Sequence, residues 1–121
     1  MKDAVRKVMQ HYFDALYHGD VGLFRNVFHR DARLFSASEG RLLVLDLEGY
    51  LAMVLERPSP ASRNDPRFDE IVSIEISSTT TAHVRARSAY LPKRFTDELT
   101  FVLLDGSWRL VAKVWHFELA E

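Results

Sequence analysis

The chain has 121 residues, 14.0 kDa, and a formal net charge of -1 from 16 Lys+Arg and 17 Asp+Glu. That length leaves room for one core, so a single domain over residues 1–121 is expected, and the balanced charge excludes bulk attraction to nucleic acid or an anionic membrane. Without cysteine there are no disulfides, thiolate metal sites or Cys nucleophile. The start, MKDAVRKVMQ, has no apolar signal core, and the aliphatic runs are too short to span a bilayer. The default address is the cytoplasm, with no membrane partner.

Val5, Val8, Met9, Tyr12, Phe13, Leu16 and Tyr17 recur at spacings of three and four, which predicts an amphipathic first helix with Asp3 as N-cap. His18-Gly19 ends it, and Asp20 caps a short second helix carrying Leu23, Phe24, Val27 and Phe28. His29-Arg30-Asp31 reads as a turn. Arg33 to Ser36 and Arg41 to Leu45 flank Ser38-Glu39-Gly40 as a short hairpin. Asp46 caps a third helix that ends before Pro58. Residues 57–67 hold three of the four prolines and no bulky apolar residue, which predicts a mobile loop.

Strands follow: Phe68 to Ile76, Thr81 to Tyr90, then Arg94 to Leu104 and Ser107 to Phe117 around Asp105-Gly106, a strong hairpin signal. Helices first and an antiparallel meander after predict an α+β fold, with three N-terminal helices on one face of a curved sheet.

Counting outward from Asp105-Gly106 pairs Leu103 with Trp108, Phe101 with Leu110, Leu99 with Ala112, Asp97 with Val114 and Phe95 with His116 on one apolar face. Asp97 and His116 are its only ionisable side chains and lie diagonally, about 7 Å apart at the backbone. An acid beside an imidazole is a candidate acid–base pair. The plainer reading puts His116 at the surface and Asp97 on a loop amide, and a bulge in the hairpin would separate the two. The opposite face carries Val111, Trp115, Phe117, Val102 and Ile71, an apolar patch that predicts a homodimer through the outer sheet face.

The order of elements resembles the nuclear transport factor 2-like superfamily, a cone of curved sheet closed by helices. Tyr12-Phe13-Asp14-Ala15-Leu16 with Gly19-Asp20, Phe28-His29-Arg30-Asp31-Ala32-Arg33-Leu34, and Leu104-Asp105-Gly106-Ser107-Trp108-Arg109-Leu110-Val111 carry the likeness. Phe95-Thr96-Asp97-Glu98-Leu99-Thr100 and Lys113-Val114-Trp115-His116 are similar to the small bacterial branch labelled putative lumazine-binding. The superfamily includes ketosteroid isomerase and scytalone dehydratase alongside binding and scaffold proteins. The segment that resembles the general-base region of ketosteroid isomerase reads Phe35-Ser36-Ala37-Ser38, with no carboxylate until Glu39. Tyr12 loosely resembles the hydrogen-bond-donating Tyr on that enzyme's first helix, and Asp97 with His116 resemble the Asp–His arrangement of scytalone dehydratase in type.

The resemblance implies a cavity between sheet and helices, with Tyr12, His29, Tyr50 and Trp108 at its edge beside Asp97 and His116. His29 reads equally as a surface turn histidine, and Tyr50 as a plain core residue. None of the five histidines forms an HxH or HExxH pair, and the glycines form no phosphate loop, so no metal and no cofactor is expected. Three functions stand open: a small-molecule-binding protein, an isomerase- or dehydratase-type enzyme using Asp97 and His116, and a dimeric interaction module with a filled cone.

Overall fold

A computed structural model describes residues 1–120. Helix α1 (Lys2–His18) buries Val5, Met9, Tyr12 and Phe13. Its N-cap is Met1, and Asp3 sits in the first turn bonded to Arg6. Gly19 closes α1 in the left-handed conformation, φ 61°, where a side chain would be strained. A Cβ there would also lie 3.2 Å from the Cβ of Ser59, so the end of α1 is pressed against the 57–67 loop. Asp20 accepts from the Leu23 N–H at 3.0 Å and starts α2 (Val21–Val27).

Strand β1 (Phe28–Ser36) follows α2 directly. His29-Arg30-Asp31 is therefore strand and not the expected turn; Ala32 and Leu34 further along β1 are buried, which keeps the segment on the sheet. β2 (Leu43–Asp46) pairs with β1 antiparallel, and Asp46 caps α3 (Leu47–Glu56) through the Gly49 N–H at 2.8 Å. Residues 57–67 contain only a 3-10 turn, Ala61–Arg63, yet the segment is anchored. Tyr17 and Tyr90 donate their hydroxyls to the carbonyls of Asp65 and Pro58, at 2.6 and 2.7 Å, and Pro60 is buried. Polar anchors thus replace the apolar ones whose lack suggested mobility.

β3 (Asp69–Ile76), β4 (Thr81–Tyr90), β5 (Lys93–Leu104) and β6 (Ser107–Leu119) complete a six-stranded sheet in the order β2-β1-β6-β5-β4-β3. Every pair is antiparallel except β1 with β6. The result is the α+β architecture read from the sequence, with the three helices on the concave face of a curved, mostly antiparallel sheet. Tyr12, Phe24, Phe28, Phe101 and Leu110 are fully or almost fully buried where helices and sheet meet. Burying each such side chain contributes roughly 1.5–3 kcal/mol.

The β5–β6 hairpin decides what faces inward. Leu103 pairs with Trp108 and Phe101 with Leu110, as counting from the turn predicts. Thr100 then pairs with Ala112, so Val111 is one residue too many in β6. This bulge reverses every later side chain of β6. Leu99 pairs with Lys113, Asp97 with Trp115 and Phe95 with Phe117. Lys113 and Trp115 are buried, whereas Val114 and His116 are exposed.

Two expectations are corrected by that extra residue. Asp97 and His116 do not share a face, because His116 pairs with Thr96 on the convex side. Trp115 and Phe117 do not form an outer patch, because they point into the concave side. Ile71 also packs on the core, opposite Ala86.

Candidate functional site

The described residues enclose a cavity of about 180 Å³ between the concave sheet and the helices. Its floor is polar. Asp97 on β5 and Lys113 on β6 are buried at 2% and 4% exposure, which demands partners for both. The Tyr12 hydroxyl donates to Asp97 Oδ2 at 2.6 Å, and Lys113 Nζ stands 3.8 Å from the same oxygen. Lys113 Nζ also donates to the Tyr50 hydroxyl oxygen at 3.3 Å. The ammonium lies 4.9 Å from the ring centre of Tyr50, 5.3 Å from that of Tyr12 and 5.7 Å from that of Trp115, within cation–π range of all three. Asp97 Oδ1 is buried and has no hydrogen-bond partner.

Burial first, and the Asp97 charge second, push the Tyr12 phenol well above its ordinary 10.0. Tyr12 therefore stays protonated and remains a donor to Asp97 throughout the neutral range.

The walls are aromatic: Phe95, Trp115 and Phe117 from β5 and β6, Tyr90 from β4 and Tyr50 from α3. The mouth carries Arg41, Arg57 and Lys93 against a single acid, Glu39. Arg57 stacks 4.5 Å from the Tyr90 ring centre, and Lys93 Nζ lies 4.3 Å from that of Phe117. Neither cation forms an ion pair among the described residues, so the rim attracts anions.

The structure brings together three of the residues singled out in the sequence. Tyr50 and Asp97 line the cavity, and Tyr12 supports Asp97 from beneath. Trp108 is buried in the core on the turn side of the bulge and does not line the cavity. His29 lies off the cavity too; its Nδ1 accepts from the Asp31 N–H at 3.0 Å, a local β1 contact. His116 is 61% exposed and bonds Ser38 Oγ at 3.3 Å. The residues missed were Lys113, Trp115 and Phe117. Trp115 and Phe117 had a signal in their alternation with His116 and Glu118, which sorts large aromatics from polar residues without reference to the turn; Lys113 had none.

Among the described residues no group of three or more His, Asp or Glu could hold a metal ion, and no helix is long and apolar enough to cross a membrane.

This cone with a cavity under its helices is the fold shared by nuclear transport factor 2-like proteins. The chain is similar to one of unknown function from Silicibacter pomeroyi, at 26% identity and TM-score 0.85, covering 96% of this chain and 94% of that one. A nuclear transport factor 2-like protein of unknown function from Shewanella baltica matches at 23% identity and TM-score 0.85, covering 98% and 94%. A ketosteroid isomerase-like protein from Erwinia carotovora atroseptica shares the fold at 15% identity and TM-score 0.74, covering 95% and 94%. No curated protein matches the sequence significantly. The family model described as "Putative lumazine-binding" matches residues 1–116, and the chain belongs to that family.

Proposed function

We propose that the protein binds a small, flat, anionic organic molecule in the cavity between sheet and helices. The carrying observation is the cavity itself: aromatic walls, a buried Asp97–Lys113 floor and a cationic mouth. Rings stack on the walls, and Arg41, Arg57 and Lys93 draw in a carboxylate or phosphate. The family description points the same way, toward a small heteroaromatic ligand. Binding is favoured over isomerase or dehydratase chemistry because His116 lies on the convex face, which removes the acid–base pair. Glu39 replaces no base at Ser36 or Ser38; it is exposed at the mouth.

Native mass spectrometry of protein from its own host is expected to show a retained small anion, weakened by Arg57→Glu with Lys93→Glu. A parent protein that carries nothing and binds no aromatic carboxylate at millimolar concentration would overturn the reading.

Homodimerisation belongs to the same proposal, on different residues from those first expected. Val114 is 47% exposed and pairs with Phe35, which pairs in turn with Val44, giving an apolar row across the convex face of β6, β1 and β2. Sedimentation velocity distinguishes a dimer from a monomer.

A further inference from the structure

We infer that Ser38 is an acyl-accepting nucleophile at the cavity mouth, with His116 as its base and Glu118 orienting the imidazole. The substrate class is a small aryl ester. This goes beyond the binding reading above and rests on it only for the seat of the ring.

Ser36 ends β1 on the concave side, opposite Trp115, and both it and Ser38 line the cavity. His116 reaches Ser38 from β6. Its Nδ1 lies 3.3 Å from Ser38 Oγ, and its Nε2 lies 3.8 Å from Glu118 Oε1. Hydroxyl, base and orienting acid therefore stand in series, the general pattern of an activated nucleophile. Such contacts are commonly longer in a free protein than in its loaded state.

The proton positions follow by elimination. Ser36 is buried at 5% exposure, and its Oγ accepts from the Ser38 N–H at 3.3 Å. Among the described residues, the acceptor for its own proton is Ser38 Oγ, at 3.1 Å. Ser38 Oγ also accepts from the Phe117 N–H at 3.1 Å. With donors on both lone pairs, Ser38 directs its own proton at His116 Nδ1. The ring proton then sits on Nε2, toward Glu118.

The chemistry runs from that arrangement. The aromatic walls seat the ring of the ester. Ser36 turns its proton to the carbonyl oxygen, which frees the Ser38 lone pair that attacks. Ser38 Oγ bonds to the carbonyl carbon as its own proton passes to His116 Nδ1. The bond from that carbon to the phenol oxygen breaks, and His116 gives the proton to the departing phenolate. Water, deprotonated by the same nitrogen, then hydrolyses acyl-Ser38 and restores the hydroxyl.

The test incubates the full chain with para-nitrophenyl acetate and follows nitrophenolate release and protein mass, with each variant checked for folding by circular dichroism. Peptide mapping is expected to place one acetyl group on Ser38. Release is expected to fall about a hundredfold in Ser38→Ala and in His116→Gln, whose amide cannot take up a proton. Glu118→Ala is expected to move His116 away from the Nε2–H tautomer in nitrogen NMR, a signature that a merely structural contact would not change. An unmoved tautomer removes Glu118 from the arrangement. Acetyl groups on lysines or the N-terminus alone, equal release from the parent and His116→Gln, or release no faster than in buffer each overturn the inference and leave the cavity reading standing. The cavity reading fails separately, through the native mass spectrometry above.

Discussion

The β5–β6 hairpin behaves as two different structures on either side of Val111. On the turn side, counting from Asp105-Gly106 gives the true pairs, and Phe101, Trp108 and Leu110 fill a closed core. On the far side the same strand is inverted, and Lys113, Trp115 and Phe117 line a cavity while His116 faces outward. One inserted residue thus separates a segment devoted to packing from one that places a buried charge pair beside open space. Period-two alternation makes this possible: a slip of one residue changes the face of everything after it.

Inserting one alanine between Ala112 and Lys113 is the most severe way to break this contrast. The added residue would take the place opposite Leu99, turning Lys113 outward and His116 inward, or would force a second bulge. We expect a loss of more than about 4 kcal/mol of stability, beyond the ordinary range for a single change. Urea denaturation measures it, and an insertion variant as stable as the parent would show that the one-residue register does not set the face.

Lys113→Ala and His116→Ala, two substitutions three residues apart in one strand, sharpen the comparison. Removing Lys113 leaves Asp97 buried with only Tyr12, at a cost of about 3–5 kcal/mol. Removing His116 from the convex face should change stability by no more than about 0.5 kcal/mol. Comparable losses from the two would contradict the inversion.

Tyr12→Phe probes the floor more gently. It removes a hydrogen bond to a carboxylate, worth about 1.5–3 kcal/mol at neutral pH. The substitution should also change the alkaline limb of the stability curve. The folded phenol titrates above 10.0, so the unfolded chain releases that proton first as pH rises. The contribution is fully present below the unfolded value and is lost as pH rises through the folded one. A Tyr12→Phe protein whose stability falls as steeply as the parent's above about pH 10 would refute the assignment.

Local signals in the sequence were largely readable. Gly19 and Asp46 each mark a helix boundary by a single residue's chemistry, and Asp105-Gly106 marks a turn in the same way. The cone and the placement of Tyr50 and Asp97 on its concave side follow from that order of elements. The bulge at Val111 was not readable, because no glycine or proline marks it; the extra residue reflects the bend of the whole sheet. Lys113 was hidden with it, since a lysine opposite a glutamate looks like a surface pair until the register shifts. His29 misled for a related reason: His-Arg-Asp is turn-like locally, and the burial of Ala32 and Leu34 overrides it.

The parallel pairing of β1 with β6 has a consequence for how the chain is made. Phe28 sits against Leu110, and Ser36 against Trp115. β6 is the last described strand in sequence but lies inside the sheet, between β1 and β5. On a ribosome, α1, α2 and the β1–β2 hairpin emerge with their eventual neighbour still unsynthesised. Until β6 arrives, β1 presents an open hydrogen-bonding edge and the helices have no complete concave face to cover. The strand that carries Lys113 and Trp115 into the cavity is therefore also the one whose synthesis lets the two halves of the sheet join.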